Sequence, residues 1–360
     1  MAERTATNPA GTVRSIWLLI DAAPYGGIER HVQSLVTALV RRAVAAEFVL
    51  FKRRDQTALI GQLKAANAPL RILDGTFTGL LGGLRQHRPA LLHTHGYKSN
   101  ILGRVAARLA GIPHLASFHS PEKAKFPVSA YYFLDNTTAC LSHRIAVSHD
   151  IGKKVLFGAP TVPNFIQTPA TVNSAPLPRR VGFVGRLVDQ KAPDLFCEIA
   201  KRGPPGLEWH VYGDGPLRGA LEEKYAAHVT FHGAVGDMAS VWAGLGLLLM
   251  PSRSEGLPLA ALEALSAGVP VAATPVGGVP TLVIPGTSGW LFPSGDVEAG
   301  VKAVEAWANL EPSAQVQLRR SCWTFVRDNF SEDALMPRML DAYRNAGCVL
   351  PLRMQAVPAA

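Results

Sequence analysis

Two glutamates, Glu255 and Glu263, lie eight positions apart in the segment SRSEGLPLAALEALSAGVPVAATPVGG, residues 252–278. Pro258 suits the first turn of a helix, where its missing N–H costs nothing, and Gly268 suits the end of that helix. The spacing therefore places Glu255 on the loop before the helix and Glu263 about a turn and a half inside it.

The N-terminus of such a helix presents free N–H groups and partial positive charge, which favour a phosphate. Carboxylates beside a phosphate would instead accept hydrogen bonds from hydroxyl groups, such as those of a sugar or a ribose. Most glutamates are solvated surface charges. The apolar residues of 257–265, however, predict a buried helix in which Glu263 needs a polar partner. The segment therefore predicts an enzyme site for a nucleotide sugar.

Two other segments place polar or flexible residues after predicted strands. In VGRLVDQKAPDLF, Gly185 and Arg186 end a strand and Lys191 begins the following helix. Such an Arg–Lys pair suits a diphosphate, although isolated cations in these positions are usually surface residues. In VYGDGP, Gly213 and Gly215 allow either a close approach to a base or ribose or simply a tight turn.

Histidines end two predicted strands of the first half of the chain. His95 closes HTH at residues 93–95, and His119 lies in FHS at residues 118–120. A single histidine at a strand end is more often a structural hydrogen-bonding group than a functional one. Because the carboxyl ends of parallel strands meet at one edge of a sheet, both residues are nevertheless candidates for a ligand site.

Strand-like apolar runs alternate with amphipathic helical stretches on both sides of the Pro- and Ser-rich segment QTPATVNSAPLP, residues 167–178. This alternation predicts an α/β fold with two Rossmann-like domains, each a doubly wound parallel sheet, facing a central cleft. We place the first domain at residues 12–166 and the second at 179–330, with 167–178 as a linker. The helix at about 331–346 is expected to cross back onto the first domain.

The composition is that of a globular protein, with 360 residues, 48% hydrophobic and 18% charged. The four cysteines form no Cys-x-x-Cys pair, which favours free thiols in a reducing compartment. No apolar run reaches the roughly 20 residues needed to span a bilayer, and the first residues do not resemble a secretory signal. The expectation is a soluble, cytoplasmic protein.

The net charge of +9 is concentrated in the first half of the chain. Residues 1–165 carry 20 Lys and Arg against 9 Asp and Glu, whereas residues 166–360 carry 16 against 18. This excess is consistent with generic solubility charge or with an anionic partner such as a membrane surface or a diphospholipid. The sequence contains no recognisable nucleic-acid-binding module, so nucleic acid is not an expected partner.

Five segments occur together in a characteristic order: GGIERHV, VGRLVDQK, VYGDGP, FHGAV and SEGLPLAALEALSAGVPVAATPVGG. In this combination the chain resembles glycosyltransferase family 4, the retaining enzymes of the GT-B fold also described as glycosyl transferases group 1. The resemblance spans about residues 15–345. It departs from the family pattern at NFIQ (164–167), at Thr281 and at Ala192, and these departures leave the acceptor and the donor sugar open.

The resemblance implies roles near the reacting sugar and diphosphate. The loop of Gly26 and Gly27 would approach the donor phosphate, and His119 would contact the transferred sugar. Arg186 and Lys191 would neutralise the leaving diphosphate. His95 is a weaker candidate, lining the cleft or the acceptor site.

The resemblance also implies a donor site made largely from the second domain. Glu255 would bind hydroxyls of the donor sugar, the amides of Gly256 and Leu257 would hold the phosphate, and Glu263 would bind the ribose. Val235 would meet the base through its backbone. The glycines at the two strand ends, Gly185 and Gly213, would complete this site.

The implied reaction is the transfer of a sugar from a nucleoside-diphosphate sugar to a hydroxyl acceptor with retention at the anomeric carbon. No cofactor and no metal is expected, because the protein supplies the cations and the sequence has no DxD-like metal pair beside the site. The basic first domain suggests a saccharide or lipid-linked saccharide acceptor, used in cell-surface polysaccharide or glycolipid biosynthesis at the inner face of the plasma membrane. The alternatives are a sugar-nucleotide epimerase of the same fold and a non-catalytic scaffold.

Overall fold

The computed structural model describes residues 14–21, 27–53, 57–119 and 128–352. The chain divides into two compact units. The first combines Met1–Asn164 with Leu335–Ala360, and the second is Phe165–Ala334. The predicted linker segment belongs to the second unit, where the indole N–H of Trp323 donates to the carbonyl of Pro169 at 3.0 Å.

The first unit contains a six-stranded parallel sheet in the order β3-β2-β1-β4-β5-β6. All five residues of β1 and of β4 are buried, because helices cover both faces of a doubly wound sheet. The strands are β1 (Ile16–Ile20), β2 (Ala46–Leu50), β3 (Leu70–Ile72), β4 (Leu91–His95), β5 (His114–Phe118) and β6 (His143–Ala146).

The helices of the first unit follow its strands, and local sequence signals fix several of their ends. Thr76 caps the third helix by accepting from the N–H of Gly79, and Gly111 ends the fourth in the left-handed conformation. The helices are α1 (Gly27–Arg41), α2 (Thr57–Ala65), α3 (Phe77–His87), α4 (Tyr97–Ala110), α5 (Val128–Thr137) and α6 (His149–Lys154).

The second unit repeats this plan with a six-stranded parallel sheet in the order β12-β11-β10-β7-β8-β9. Its core is a cluster of apolar side chains that includes the buried indole of Trp307. The strands are β7 (Arg180–Val184), β8 (Glu208–Tyr212), β9 (Thr230–Gly233), β10 (Leu247–Met250), β11 (Val271–Ala273) and β12 (Gly289–Leu291).

Six helices belong to the second unit, and a final helix begins in it and continues into the first unit from Leu335. Within the described ranges, no helix combines the length and the apolar character that crossing a membrane requires. The helices are α7 (Pro193–Arg202), α8 (Arg218–Tyr225), α9 (Met238–Gly244), α10 (Leu259–Ser266), α11 (Val297–Ala308), α12 (Pro312–Phe330) and α13 (Glu332–Asn345).

The strand orders confirm the predicted α/β class with two doubly wound parallel sheets. In each sheet the winding direction reverses once, between β1 and β4 in the first unit and between β7 and β10 in the second. Ligands of such sheets bind at the carboxyl ends of the strands beside this reversal. The loops that follow these four strands are therefore the places where each unit is expected to carry functional side chains.

Gly213 brings the loops after β7 and β8 into backbone contact. Its φ is +144°, and a Cβ at this position would lie 1.9 Å from the carbonyl oxygen of Gly185. Its N–H donates to the carbonyl of Gly233, which ends β9, at 2.7 Å. The close packing of these neighbouring strand ends is therefore a sufficient reason for glycine at position 213, and no ligand contact is needed to explain it.

We predict that Gly213→Ala lowers the free energy of unfolding by about 1–3 kcal/mol, because the new methyl group overpacks a backbone contact. Gly219→Ala is the matched control. Gly219 lies near the start of α8, and its Cβ would meet nothing within 4 Å, so alanine there should be neutral or stabilising by up to about 1 kcal/mol. Urea denaturation measures both; equal stabilities of the two variants would contradict the prediction.

Candidate active site

Lys191 and Glu255 form an ion pair between the loops that follow β7 and β10. The Lys191 Nζ lies 2.8 Å from Oε1 and 2.7 Å from Oε2 of Glu255, and the Ser252 hydroxyl donates to the same Oε1 at 2.7 Å. The Glu255 side chain is 5% exposed and that of Lys191 is 24% exposed. Two residues predicted to act in one donor site are therefore brought into direct contact.

Hydrogen bonds involving backbone groups fix the two loops against each other. The N–H of Arg253 donates to the carbonyl of Gln190 at 2.9 Å, and the side-chain amide of Gln190 donates to the carbonyl of Ser254 at 3.2 Å. Ala192, the residue after Lys191, has φ +51°, a left-handed conformation that is uncommon for alanine. This is the position where the resembled family often has glycine, and the conformation supplies the physical reason.

The double glycine at the end of the motif supports the loop that carries Glu255. Gly277 has φ +56°, and a Cβ there would lie 1.8 Å from the carbonyl oxygen of Glu255. The N–H of Gly278 donates to the carbonyl of Gly256 at 2.6 Å. The loops after β10 and β11 thus run in backbone contact, and this contact positions both Glu255 and Gly256.

Glu263 is half-buried on α10, and the prediction that this helix is buried and that Glu263 needs a polar partner is confirmed. The buried residues of this helix are Ala261, Leu262, Ala264, Leu265 and Ser266. The Glu263 Oε2 accepts from the indole N–H of Trp242 at 3.3 Å. The helix itself begins one residue after Pro258, which caps it, and Gly268 follows its end with φ +75°.

The remaining predicted donor-site residues lie on separate loops of the second unit. Arg186 is exposed, and within the described part of the chain its side chain has no hydrogen bond or ion pair. The N–H of Gly185 donates to the carbonyl of Tyr212 at 3.0 Å. Val235 is half-buried between β9 and α9, and Leu257 is buried just before α10.

In the first unit, His95 and His119 meet at the carboxyl ends of β4 and β5. The His95 Nδ1 lies 3.0 Å from the His119 Nε2. His95 is buried and His119 is half-buried. Gly27 is the exposed first residue of α1, and a Cβ there would meet nothing within 4 Å among the described residues, so their packing does not require glycine. Gly26 lies outside the described residues.

Two further histidines, which the sequence did not single out, pack against this pair. The ring of His31 on α1 lies 5.3 Å from that of His119 and 5.8 Å from that of His95 between centroids. The ring of His93 lies 4.1 Å from that of His95 and is held by the Tyr343 hydroxyl at 3.0 Å and the Ser117 hydroxyl at 2.8 Å. Both occur in segments already noted, GGIERHV and HTH.

Burial keeps this histidine cluster uncharged. Loss of water lowers the pKa of His31 to about 4, and it lowers the pKa values of His93, His95 and His119 well below their usual range. Charges on neighbouring histidines lower the pKa values of these last three rings further. At neutral pH each ring is therefore a neutral imidazole with one donor and one acceptor nitrogen.

A cavity of about 190 Å³ opens beside His95 and His119 within the first unit. Its wall carries three carboxylates (Asp21, Glu29 and Asp135) and one ammonium group, that of Lys98. Lys98 pairs with Asp21 at 2.7 Å, and Asp135 pairs with the buried Arg104 at 2.7 Å. The sequence did not indicate these groups, because they lie far apart along the chain and come together only in the folded unit.

The fold and these two sets of side chains define a class of protein: a GT-B glycosyltransferase that uses sugar-nucleotide donors. Residues 25–168 match the family model described as Glycosyltransferase Family 4, and residues 178–309 match the one described as Glycosyl transferases group 1. The two matches together span most of the chain, which belongs to this family and is an enzyme. The predicted family is thus confirmed.

Individual relatives agree with this assignment. The chain is 28% identical over 260 residues to UDP-Gal:alpha-D-GlcNAc-diphosphoundecaprenol alpha-1,3-galactosyltransferase of Escherichia coli, covering 61% of this chain and 67% of that protein. It is 27% identical to D-inositol 3-phosphate glycosyltransferase of Mycolicibacterium paratuberculosis, covering 89% and 86%. The crystal structure of Anabaena HepE in complex with UDP and glucose shares the fold, with a TM-score of 0.79, 17% identity, and coverage of 92% and 100%.

Because Glu255 is more deeply buried than Lys191, we predict that replacing Lys191 lowers the free energy of unfolding more than replacing Glu255. Lys191→Met leaves a buried carboxylate without its cation and should lower the free energy of unfolding by about 1–3 kcal/mol. Glu255→Gln leaves the Lys191 ammonium, which reaches water, and should lower the free energy of unfolding by about 1 kcal/mol or less. Denaturant unfolding without ligand measures both.

The exposed pair of Arg180 and Glu208 is the control. Arg180→Met and Glu208→Gln should not change the free energy of unfolding measurably. Equal losses for Lys191→Met and Glu255→Gln would contradict the prediction.

Proposed function

We propose that this enzyme transfers a sugar from a nucleoside-diphosphate sugar to a hydroxyl acceptor with retention at the anomeric carbon. The observation that carries the proposal is the Lys191–Glu255 pair beside the start of α10, at the strand ends where the second sheet reverses its winding. This arrangement offers cations and amide groups to a diphosphate and carboxylate oxygens to sugar hydroxyls.

Lys191 can hold Glu255 and a phosphate at the same time. Its ammonium has three N–H donors, and two of them are directed to the Glu255 oxygens at 2.8 and 2.7 Å. The third is available for the leaving diphosphate, while Glu255 keeps lone pairs for hydroxyls of the donor sugar. The ion pair thus orients both partners before the donor binds.

Arg186 is proposed to supply net positive charge for the diphosphate, because the Lys191–Glu255 pair has no net charge. Because Glu255 already balances Lys191, the net positive charge for the diphosphate comes from the exposed Arg186 and from the amides of Gly256 and Leu257. Fixed donors aimed at developing negative charge stabilise the transition state, and the protein supplies them without a metal. In this proposal the leaving phosphate takes the proton from the acceptor hydroxyl, Glu263 binds the ribose and Val235 meets the base.

In the first unit, His119 is proposed to contact the transferred sugar as a neutral imidazole. The pKa of His119 lies well below its usual range because the ring is desolvated, so it offers a hydrogen bond to a sugar hydroxyl and no charge. The carboxylates of the adjacent cavity, Asp21 and Glu29 among them, can accept hydrogen bonds from a saccharide acceptor.

Removing Arg186 tests the proposal directly. Arg186→Ala should lower kcat/KM for the sugar-nucleotide donor by about 10²–10³-fold, because a donor to the developing diphosphate charge is lost. Sugar nucleotides are first screened by thermal shift, and nucleoside-diphosphate release is then measured with and without acceptor, which separates transfer from epimerisation. Arg202→Ala, which removes another exposed cation of the same unit, is the control and should keep full activity. A double variant Arg186→Ala, Lys191→Ala with full activity would refute the assignment.

We further propose a lipid-linked saccharide acceptor at an anionic membrane, in cell-surface polysaccharide or glycolipid synthesis. The name of the Escherichia coli relative describes such a diphosphoundecaprenol-linked acceptor. In this chain, apolar and basic side chains are exposed or half-buried around the edge strand β6. We call this the β6-edge surface; it consists of the exposed Phe133, Leu134, Leu141, Leu156, Phe157, Lys153 and Lys154 with the half-buried Arg144.

Hydrogen bonds hold the elements of the β6-edge surface together. The Asn136 side chain of α5 donates to the carbonyl of Lys154 and accepts from the N–H of Leu156, at 2.9 and 2.6 Å. Arg144 donates to the carbonyl of Phe157 at 3.1 Å. Phe157 is 74% exposed and has φ +65°, a strained conformation for a bulky residue. A fixed, exposed phenylalanine among cations suits insertion beside anionic headgroups.

The double variant Phe133→Asp, Phe157→Asp should bind vesicles containing an anionic lipid at least about tenfold more weakly, because two apolar anchors become charged. Co-sedimentation with vesicles at low salt measures this. Ile72→Asp is the control, since Ile72 is also exposed but lies on β3, the opposite edge of the same sheet. Unchanged sedimentation of the double variant would exclude this surface as the membrane contact.

A further inference from the structure

Three histidines from three separate elements of the first unit converge beside the cavity. His31 comes from α1, His95 from the end of β4 and His119 from the residue after β5. One nitrogen of each ring lies within 4.8 Å of the others. Within the described residues this is the one group of three or more such side chains that could hold a metal ion.

The spacing of the nitrogens suits coordination to a single ion. Zn–N bonds of about 2.0–2.1 Å place two ligands of a tetrahedral ion about 3.3 Å apart. The His95 Nδ1 and the His119 Nε2 are 3.0 Å apart, so this pair already has nearly the required separation. Small side-chain movements would bring His31 to the same distance.

The hydrogen bond between the His95 Nδ1 and the His119 Nε2 would be replaced by bonds from both nitrogens to the ion. The opposite nitrogen of His95, Nε2, is buried and has no hydrogen-bond partner among the described residues. Imidazole is the commonest protein ligand for zinc and similar ions.

The cavity provides a route and a favourable potential for a cation. Among the described residues, His95 and His119 line it together with the carboxylates of Asp21, Glu29 and Asp135 and the ammonium of Lys98. Lys98 pairs with Asp21 and Arg104 pairs with Asp135, so these cations do not face the cavity without a carboxylate beside them. Water from the cavity can fill the position that three protein ligands leave open.

We propose that His31, His95 and His119 bind one divalent cation of the zinc type, with the fourth position open to the cavity. The site is separate from the donor residues of the second unit and is not needed for the transfer chemistry described above. One consequence rests on the proposed function: an ion that holds His119 prevents its contact with the transferred sugar, so the bound ion inhibits the enzyme.

Cobalt binding tests the site independently of activity. The full chain is stripped with a chelator and titrated with Co²⁺, whose visible absorption is strong in tetrahedral sites and weak in water. We expect one ion per chain, displacement by Zn²⁺, and binding at least about tenfold weaker in His31→Gln and in His119→Asn. The control is His232→Gln, because His232 forms a comparable contact with His210 at 2.9 Å but lacks a third histidine.

The experiment tests two statements separately: that the three histidines bind a metal ion, and that His119 contacts the transferred sugar. Absence of the tetrahedral spectrum in the folded parent chain would overturn the metal site. So would a Co²⁺ affinity of His31→Gln and His119→Asn equal to that of the parent chain. Circular dichroism of both variants separates a lost ligand from a lost fold. If Co²⁺ binds as expected but saturating Zn²⁺ leaves sugar transfer unchanged, the metal site stands and the proposed contact of His119 with the sugar is wrong.

Discussion

The contact between Glu255 and Lys191 is the interaction on which the proposed donor site depends. A carboxylate that is 5% exposed requires a partner, and the ammonium provides it through both oxygens. The contact also joins the loops after β7 and β10, and the close backbone approach at Gly277 adds the loop after β11. Three strand ends are therefore fixed relative to one another before any ligand arrives, which is the preorganisation that electrostatic catalysis needs.

The sequence was sufficient for the fold class and for the residues that share a local motif. Regular alternation of strand and helix patterns predicted both sheets, and the five ordered segments predicted the family. The apolar run also predicted that α10 is buried and that Glu263 needs a partner, but it could not show that this partner is the indole of Trp242, 21 positions earlier on α9.

Contacts that depend on tertiary structure could not be predicted from the sequence. His31 lies in GGIERHV, far along the chain from His95 and His119, and only the parallel sheet with its covering helix brings the three together. The same is true of the three carboxylates around the cavity, which come from the loop after β1, from α1 and from α5. Similarly, Gly213 could have served a ligand or a turn, and only the 1.9 Å approach to Gly185 shows that packing already requires it.

The first unit is built from two pieces of chain with the whole second unit between them. The later piece contributes the buried Tyr343, whose hydroxyl holds the His93 ring, and its Pro351 carbonyl accepts the N–H of Ala45 at 2.8 Å. During synthesis on the ribosome, the second unit can complete its core while the first still lacks these contacts. The histidine-bearing unit is therefore completed last, and the chain acquires the half that carries the Lys191–Glu255 pair before its other half is finished.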